Sequence, residues 1–342
     1  MMEFNFFGYL TLRLYSGHHA GYEKYFSNEY ARISSQESIN PDAVSINIHI
    51  VKELPEPSSN DLHRTVNVKK LFTFHYLIRG INSEEVDIYF KRHWLDSLYM
   101  NAIAVFLQAQ VLEPVMYLKL LNNNVFFMHA AGVSRNSEGF LFPAHGGTGK
   151  TTFSIVLLNN GFKLLGDDLL FVALNEGIVY PYPRPMHIFT YNVNNLAGAK
   201  ISLPYRARIY LKNVIRFILE RVLKTEFLIS TRIHADEVFS TPPFGTPVPY
   251  KKIFFLRKTG DAVEPQPITN ENRASLAEEI IQSADLNDSL YKIINDPNEI
   301  DSIREQERAV VGQLLSQVGV LTYVNPRKLD LNNLGSFIHN HL

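Results

Sequence analysis

The chain has 342 residues, 46% of them hydrophobic and 20% charged, so it can bury a sizeable core and has the balance of an ordinary globular protein. A formal net charge of −1 gives no electrostatic case for bulk binding to nucleic acid or to an anionic membrane. The absence of cysteine excludes disulfides and thiolate chemistry and fits a reducing cytoplasm.

The opening stretch, Met1–His19, has no basic region and no A-x-A-like cleavage site. The longest apolar stretch, Leu95–Leu121, is interrupted by Asn101, Gln108, Gln110, Glu113 and Lys119. A bilayer span needs about 20 predominantly apolar residues, so the expectation is a helix or helix pair of a cytoplasmic protein.

In chain order, Val44, Ile46, Ile48 and Ile50 alternate with polar residues as a half-buried strand does. Pro55, Pro57, Ser58 and Ser59 break the chain, and Leu71–Ile78 and Val86–Phe90 supply two more strand-like runs. Residues 1–91 therefore read as a small β-rich region. Trp94, Leu98, Tyr99, Ala102, Ile103, Phe106 and Leu107 then repeat at helical spacing, and Pro114 predicts a break or kink. Apolar runs Val125–Met128 and Phe140–Pro143 bracket a polar segment before a glycine cluster opens a helix over Lys150–Leu158. Asn159, Asn160 and Gly161 stop it.

A strand over Phe162–Leu165 runs into Gly166-Asp167-Asp168, and Leu169–Ala173 and Ile178–Tyr180 read as a hairpin. A helix is expected over 209–223, a loop over 240–249 and a buried strand over Lys252–Leu256. Helices near 271–283 and 301–317, a strand near Val320–Val324 and a terminal helix near Leu331–His339 complete the pattern.

The chemistry concentrates at Ala144-His145-Gly146-Gly147-Thr148-Gly149-Lys150-Thr151-Thr152. This is a Walker phosphate-binding pattern with Gly149-Lys150-Thr151 intact and alanine in place of the first glycine. The glycines let successive backbone N–H groups turn inward toward phosphate oxygens, and the helix behind adds its positive end. His145 to Thr152 are thus the candidate nucleotide-binding residues, with Lys150 on the β- and γ-phosphates and the Thr151 hydroxyl on Mg²⁺.

Asp167 and Asp168 follow seventeen residues after Lys150, room for one helix and one strand, which returns them to the phosphate side of the sheet. One carboxylate can hold Mg²⁺ and the other can accept a proton from an attacking hydroxyl. Arg184, stiffened between Pro183 and Pro185, can aim a guanidinium at phosphate, and Arg232 is a weaker candidate for that task. His18, His19, His339 and His341 have no carboxylate or cysteine partners at ligand spacing.

His129, the 144–151 loop and Asp167-Asp168 together resemble the catalytic core of bacterial HPr kinase/phosphorylase and its HPr-kinase-related relatives. The resemblance covers residues 125–185. A looser likeness takes in Pro181–Met186, Ile253–Arg257 and the pattern Pro326…Leu329-Asp330…Leu334. It implies an α/β fold of the P-loop-containing phosphoenolpyruvate-carboxykinase/HPr-kinase-like type, with a mixed sheet, flanking helices and an ATP-binding domain over 92–342.

The resemblance also implies ATP and Mg²⁺ as cofactors, His129 near the phosphates, Asp167 as general base and Asp168 on metal or orientation. The arginine-containing signature that bifunctional HPr enzymes carry after the acidic pair is absent. The expected acceptor is therefore a hydroxyl on a peptide, a protein or a small metabolite rather than HPr, with relatives that phosphorylate a serine of a peptide natural product as one precedent. HPr enzymes form rings, so a homo-oligomer stays open.

Gly147–Thr152 and Leu165–Asp168 also look like the nucleotide site of ATP-dependent phosphoenolpyruvate carboxykinase, whose upstream Lys and His have no counterpart here. A nucleotide-binding regulator without catalysis is the non-enzymatic alternative. An ordinary Walker GTPase or ATPase would need a distant strand ending in Asp, and Ile253–Leu256 ends in Arg257.

Overall fold

Alternating apolar residues turn the start of the chain into a sheet. The computed structural model describes residues 1–17, 19–33, 43–68, 72–94, 96–188, 203–223, 231–239, 243–257, 266–324 and 340–341. The expected terminal helix at 331–339, His18, His339 and the 326–334 pattern lie outside these residues. Contacts divide the chain into two compact units, Met1–Phe127 with Ala284–Val310 and Met128–Ser283 with Val311–Leu342. Residues 92–127 and 284–310, grouped with the ATP-binding domain in the sequence reading, pack in the first unit.

In the first unit β1 (Met2–Phe6) and β2 (Leu10–Tyr15) form a hairpin, and α1 (Ala20–Tyr30) leads to β3 (Val44–Val51), parallel to β2. β4 (Leu62–Val68), β5 (Phe72–Arg79) and β6 (Glu85–Lys91) complete a sheet of order β1-β2-β3-β6-β5-β4. The expected strands coincide with β3, β5 and β6, whereas β1, β2, β4 and α1 go beyond the expectation. Leu10, Leu12, Leu14, Ile46, Ile48, Val86, Ile88 and Phe90 are buried and point to one face, as the period of two requires.

α2 (Asp96–Leu107), a π-helical turn at Gln108–Leu112 and α3 (Glu113–Leu121) form the expected helical stretch. The α-helical hydrogen bonding is interrupted where Pro114 predicts it, by the π-helical turn, and a new α-helical segment starts at Glu113. Proline sits in the first turn of α3, where its missing N–H is least costly. The apolar seam begins later than the spacing predicts: Trp94 and Leu98 are exposed, while Ile103 and Leu107 are buried. Leu98–Leu121 is long and apolar enough to cross a membrane by length and composition, and 78% of its apolar window is buried inside the protein. Two returning helices, Asp285–Ile294 and the first part of Pro297–Gln317, finish the unit. Buried Glu307 there accepts hydrogen bonds from Tyr117 (2.9 Å), Asn287 (3.0 Å) and Tyr291 (2.6 Å).

The second unit is an α/β fold with a mixed sheet flanked by helices. β7 (Val125–Arg135) enters it and pairs antiparallel with β8 (Glu138–Pro143); α4 (Lys150–Asn159) follows. β9 (Lys163–Gly166) pairs antiparallel with β7, and β10 (Leu169–Ala173) and β11 (Ile178–Tyr180) form the expected hairpin. β12 (Met186–Ile188) pairs with β13 (Thr231–Ile233), with α5 (Leu203–Leu223) between them in sequence.

β14 (Val248–Leu256) lies parallel to β8 and to β16 (Val320–Val324), and β15 (Gln266–Pro267) closes the edge. The order is β11-β10-β7-β8-β14-β16-β15, with β9 on β7. α6 (Arg273–Gln282) belongs to this unit. α7 (Asp285–Ile294) is a helix that the sequence reading passed over, and α8 (Pro297–Gln317) starts earlier than expected and crosses from the first unit into the second.

Phe142, Phe153, Leu157 and Phe254 pack α4 onto the sheet, with the Phe142 and Phe153 rings 4.8 Å apart edge to face. On the other side of α4, Ile155 and Leu158 meet Met186, Ile188, Ile209 and Ile233, joining α4, the β12–β13 pair and α5 in one cluster.

Candidate active site

Strand direction brings the site together. β7 is antiparallel to β8, and β9 is antiparallel to β7, so β8 and β9 point the same way. The loop after Pro143 and the acidic pair after Gly166 therefore leave the sheet at one edge. His129 arrives there from the other direction, one residue before Ala130, which pairs with Pro143.

Ala144 is fully buried, bridges Leu256 and belongs to the sheet–helix core. Its methyl fills space against β14 that a glycine would leave open, which accounts for alanine at the first position of the Walker pattern. Beyond it, the Thr148 hydroxyl and N–H both reach the His145 carbonyl, at 2.7 and 3.3 Å, closing a tight turn. Gly147 and Gly149 have φ of 67° and 111°, left-handed values that favour glycine, and Gly149 is the N-cap of α4. His145, Gly146 and Gly147 are exposed, while Thr151 and Thr152 stand half-buried in the first turn of the helix.

The buried Lys150 ammonium donates to the Ala144 carbonyl at 2.7 Å and lies 3.1 Å from His129 Nε2. His129 Nδ1 donates to the Ser283 carbonyl at 2.5 Å, which turns Nε2 toward Lys150 and toward Asp168 Oδ1, 3.1 Å away. The Ser283 contact has no local sequence signal, because it joins residues more than 150 positions apart.

The two aspartates face different partners. Asp167 is only 7% exposed, and its Oδ2 accepts from the Thr151 hydroxyl at 2.9 Å. Among the described residues its buried Oδ1 makes no well-formed hydrogen bond. Burial pushes the Asp167 carboxyl up to about 6; the Thr151 hydrogen bond and the Lys150 charge oppose this, and the Asp168 charge reinforces it.

Asp168 is 46% exposed, and its Oδ2 accepts from Arg184 Nη2 at 2.7 Å. Partial desolvation works to raise its pKa. The His129 hydrogen bond and charge, with Arg184 and Lys150, outweigh that effect and hold the group well below the usual carboxylate range. Arg184 also lies 5.3 Å from the centre of the Tyr182 ring, which fixes its plane. Arg232 sits on β13 opposite His187 of β12.

Beyond the expected set, Arg257 follows β14 at the same sheet edge. Its guanidinium lies 3.7 Å over the Tyr323 ring and pairs with Glu279 through Nε at 3.1 Å. Only the parallel pairing of β14 with β16 brings Arg257 and Tyr323 together, so no local pattern announces them.

Among the described residues no group of three or more His, Asp or Glu is arranged to hold a metal ion unaided. The donors present are a hydroxyl and carboxylate oxygens, a hard set that suits a cation sharing phosphate oxygens and water. No known protein family matches the chain, and no curated protein matches it.

Proposed function

We propose that the chain is an ATP-dependent kinase of the HPr-kinase-like class, which transfers the γ-phosphoryl group to a hydroxyl. One observation carries this reading: Lys150, the Thr151–Asp167 pair and the partly exposed Asp168 meet at one sheet edge behind a glycine loop that caps a helix. A glycine-rich turn serving only as a helix cap has no use for a buried lysine, a buried aspartate and an ion-paired aspartate at one place.

The loop N–H groups and Lys150 bind and orient the phosphates of ATP. Thr151 and Asp167 are the residues that fit Mg²⁺, since the hydroxyl gives its proton to Asp167 and keeps a lone pair, and among the described residues Asp167 Oδ1 makes no well-formed hydrogen bond. When bound, Mg²⁺ neutralises phosphate charge.

The geometry favours exchanging the roles that the resemblance gives the two aspartates. Asp167 is enclosed and turned to Thr151, whereas Asp168 is open to an incoming hydroxyl. The acceptor oxygen forms the new O–P bond as its proton passes to the Asp168 carboxylate. The bond from the γ-phosphorus to the β–γ bridging oxygen breaks, and its electron pair leaves with ADP. A weakly basic carboxylate suffices, because the proton is lost late in a loose transition state. Arg184 and His129 hold Asp168 in place.

The test is phosphotransfer from γ-labelled ATP with Mg²⁺ to serine-bearing peptides, fractionated proteins and small hydroxylated metabolites. Label in one fraction, lost at least a hundredfold in Asp168→Asn with ATP affinity retained, is the expected result. Transfer unaffected by Asp168→Asn, or tight ATP binding with no transfer to any pool, would overturn the reading.

A further inference from the structure

Among the described residues, α5 is held to the second unit through the side that carries Tyr205 and Ile209. Ile209 lies in the cluster with Ile188 and Ile233, and the Tyr205 hydroxyl donates to Glu237 Oε2 at 2.5 Å. On its outer side Tyr210, Leu211, Val214, Ile215 and Phe217 are between 42% and 61% exposed. Scattered exposed apolar residues are ordinary, but five within two turns of one helix form a patch of the kind that docks a partner.

The charges around the patch restrict what can cover it. The helix sequence carries Arg206, Arg208, Lys212, Arg216 and Arg221 against the single carboxylate Glu220, in a chain whose overall charge is −1. Arg206, Tyr210, Val214, Phe217 and Arg221 recur at spacings of four, four, three and four, so they lie along one stripe. Arg206 and Arg221 are exposed at its two ends, about 22 Å apart at helical rise.

A second copy is disfavoured, because α5 packed on α5 in either direction sets arginine against arginine at both ends. An interfacial lipid-binding helix keeps its polar face opposite its apolar face. Here Ile209 on the inner side is buried, and the exposed cations Arg206 and Arg221 share the apolar stripe. A segment with apolar side chains in its middle and carboxylates at its ends satisfies both features.

α5 also adjoins the proposed site through its inner side, which carries Ile209 and Lys212. α5 packs on β13, and Arg232 of β13 pairs across to His187 of β12. Arg232, Arg184 and Lys212 are all close enough to His187 for their charges to act on its imidazole, as is Asp168. Cations of the inner side of α5 and of β13 therefore lie in the same neighbourhood as Arg184, the arginine that grips Asp168.

Building on the kinase reading, we infer that the outer face of α5 docks the phosphate acceptor, and that the acceptor hydroxyl is carried by an acidic peptide segment with apolar residues between its carboxylates. The peptide's carboxylates meet Arg206 and Arg221, its apolar side chains cover Tyr210, Val214 and Phe217, and its hydroxyl extends toward Asp168.

The experiment uses the full chain and a fluorescein-labelled 18-residue peptide with leucines at helical spacing, glutamates at both ends and a serine beyond one end. A twin has lysines in place of the glutamates, and phosphatidylglycerol vesicles serve as a third probe. Expected are binding of the acidic peptide at least tenfold tighter than its twin, loss of that binding in Val214→Asp/Phe217→Asp, and reversed peptide preference in Arg206→Glu/Arg221→Glu. ATP affinity and melting temperature should be unchanged in both variants, and kcat/KM for serine phosphorylation should fall with the binding.

Equal binding of the two peptides, preferential binding to the vesicles, or dimerisation through α5 overturns the docking assignment while leaving the kinase reading intact. Charge-selective peptide binding with no phosphorylation of this or any other hydroxyl overturns the kinase reading instead.

Discussion

The Thr151 hydroxyl donates to Asp167 Oδ2 at 2.9 Å, although the Asp167 carboxyl sits where burial pushes its pKa up to about 6. An aspartate whose folded pKa lies above its unfolded value near 3.8 costs nothing when protonated in both states. The cost of ionising it inside the fold grows as pH rises from about 4 to 6 and is complete above that, at roughly 3 kcal/mol. Asp167→Asn should therefore be more stable than the native chain at pH 8 by up to about that amount, with the gap closing at pH 4. Urea denaturation across this range measures it, and a gap independent of pH would contradict the buried ionised carboxylate.

After His129, Arg184 contributes most to keeping Asp168 ionised. Removing the guanidinium in Arg184→Ala lets the Asp168 pKa climb from its depressed position, so the acidic limb of the pH–rate profile should move to higher pH. Arg184→Lys should restore only part of the effect. A lysine ammonium cannot reproduce the planar contact with Tyr182 and the 2.7 Å bond to Asp168 together. Steady-state kinetics from pH 4 to 8 on the three proteins decide the matter.

Two glycines of the loop should respond differently to alanine. Gly149, at φ 111°, is strained by any side chain, and Gly149→Ala should cost about 1–3 kcal/mol of stability. A Cβ added at Gly146 meets nothing within 4 Å, so Gly146→Ala should fold normally. If the backbone there approaches phosphate, ATP affinity should nevertheless drop at least tenfold in Gly146→Ala. Calorimetric titration with ATP alongside a melting curve separates the two effects.

Lys150→Met keeps the aliphatic stem and removes a buried ammonium whose contacts are the Ala144 carbonyl and His129. The folded state should tolerate it within about 1–2 kcal/mol, since the contacts of the ammonium and its attraction to Asp167 and Asp168 are lost together with the cost of burying the charge. ATP binding, by contrast, should fall by two orders of magnitude or more in a fluorescence titration. Unchanged affinity would remove Lys150 from the nucleotide site.

The loop, α4, the β10–β11 hairpin and β16 were legible because each is a local pattern: glycines before an apolar helix, or short alternating runs between turns. The acidic pair was legible through its spacing from Lys150. The different partners of Asp167 and Asp168 were not, because local sequence does not say which carboxylate turns toward Thr151 and which toward Arg184. Pro114 was legible as an interruption, since it falls just after the π-helical turn and in the first turn of the helix that restarts at Glu113. α7 was legible too, with Leu286, Leu290, Ile293 and Ile294 at helical spacing; what local pattern does not show is the burial of Asn287 and Ser289, which bond to Glu307 and Gln110.

The first unit is built from two stretches of chain separated by the whole of residues 128–283. Tyr117 hydrogen-bonds Glu307, and three backbone carbonyls at the end of α7 accept from Arg64 of β4. During synthesis the N-terminal sheet emerges first, yet it lacks these partners until residue 310 has left the ribosome. The unit that carries the glycine loop is unfinished at that point too, because β16 reaches its place beside β14 only after residue 320 has emerged. Shortened chains ending near residue 283 should expose the apolar side of α3 and aggregate, even though every residue of the proposed site is present in them.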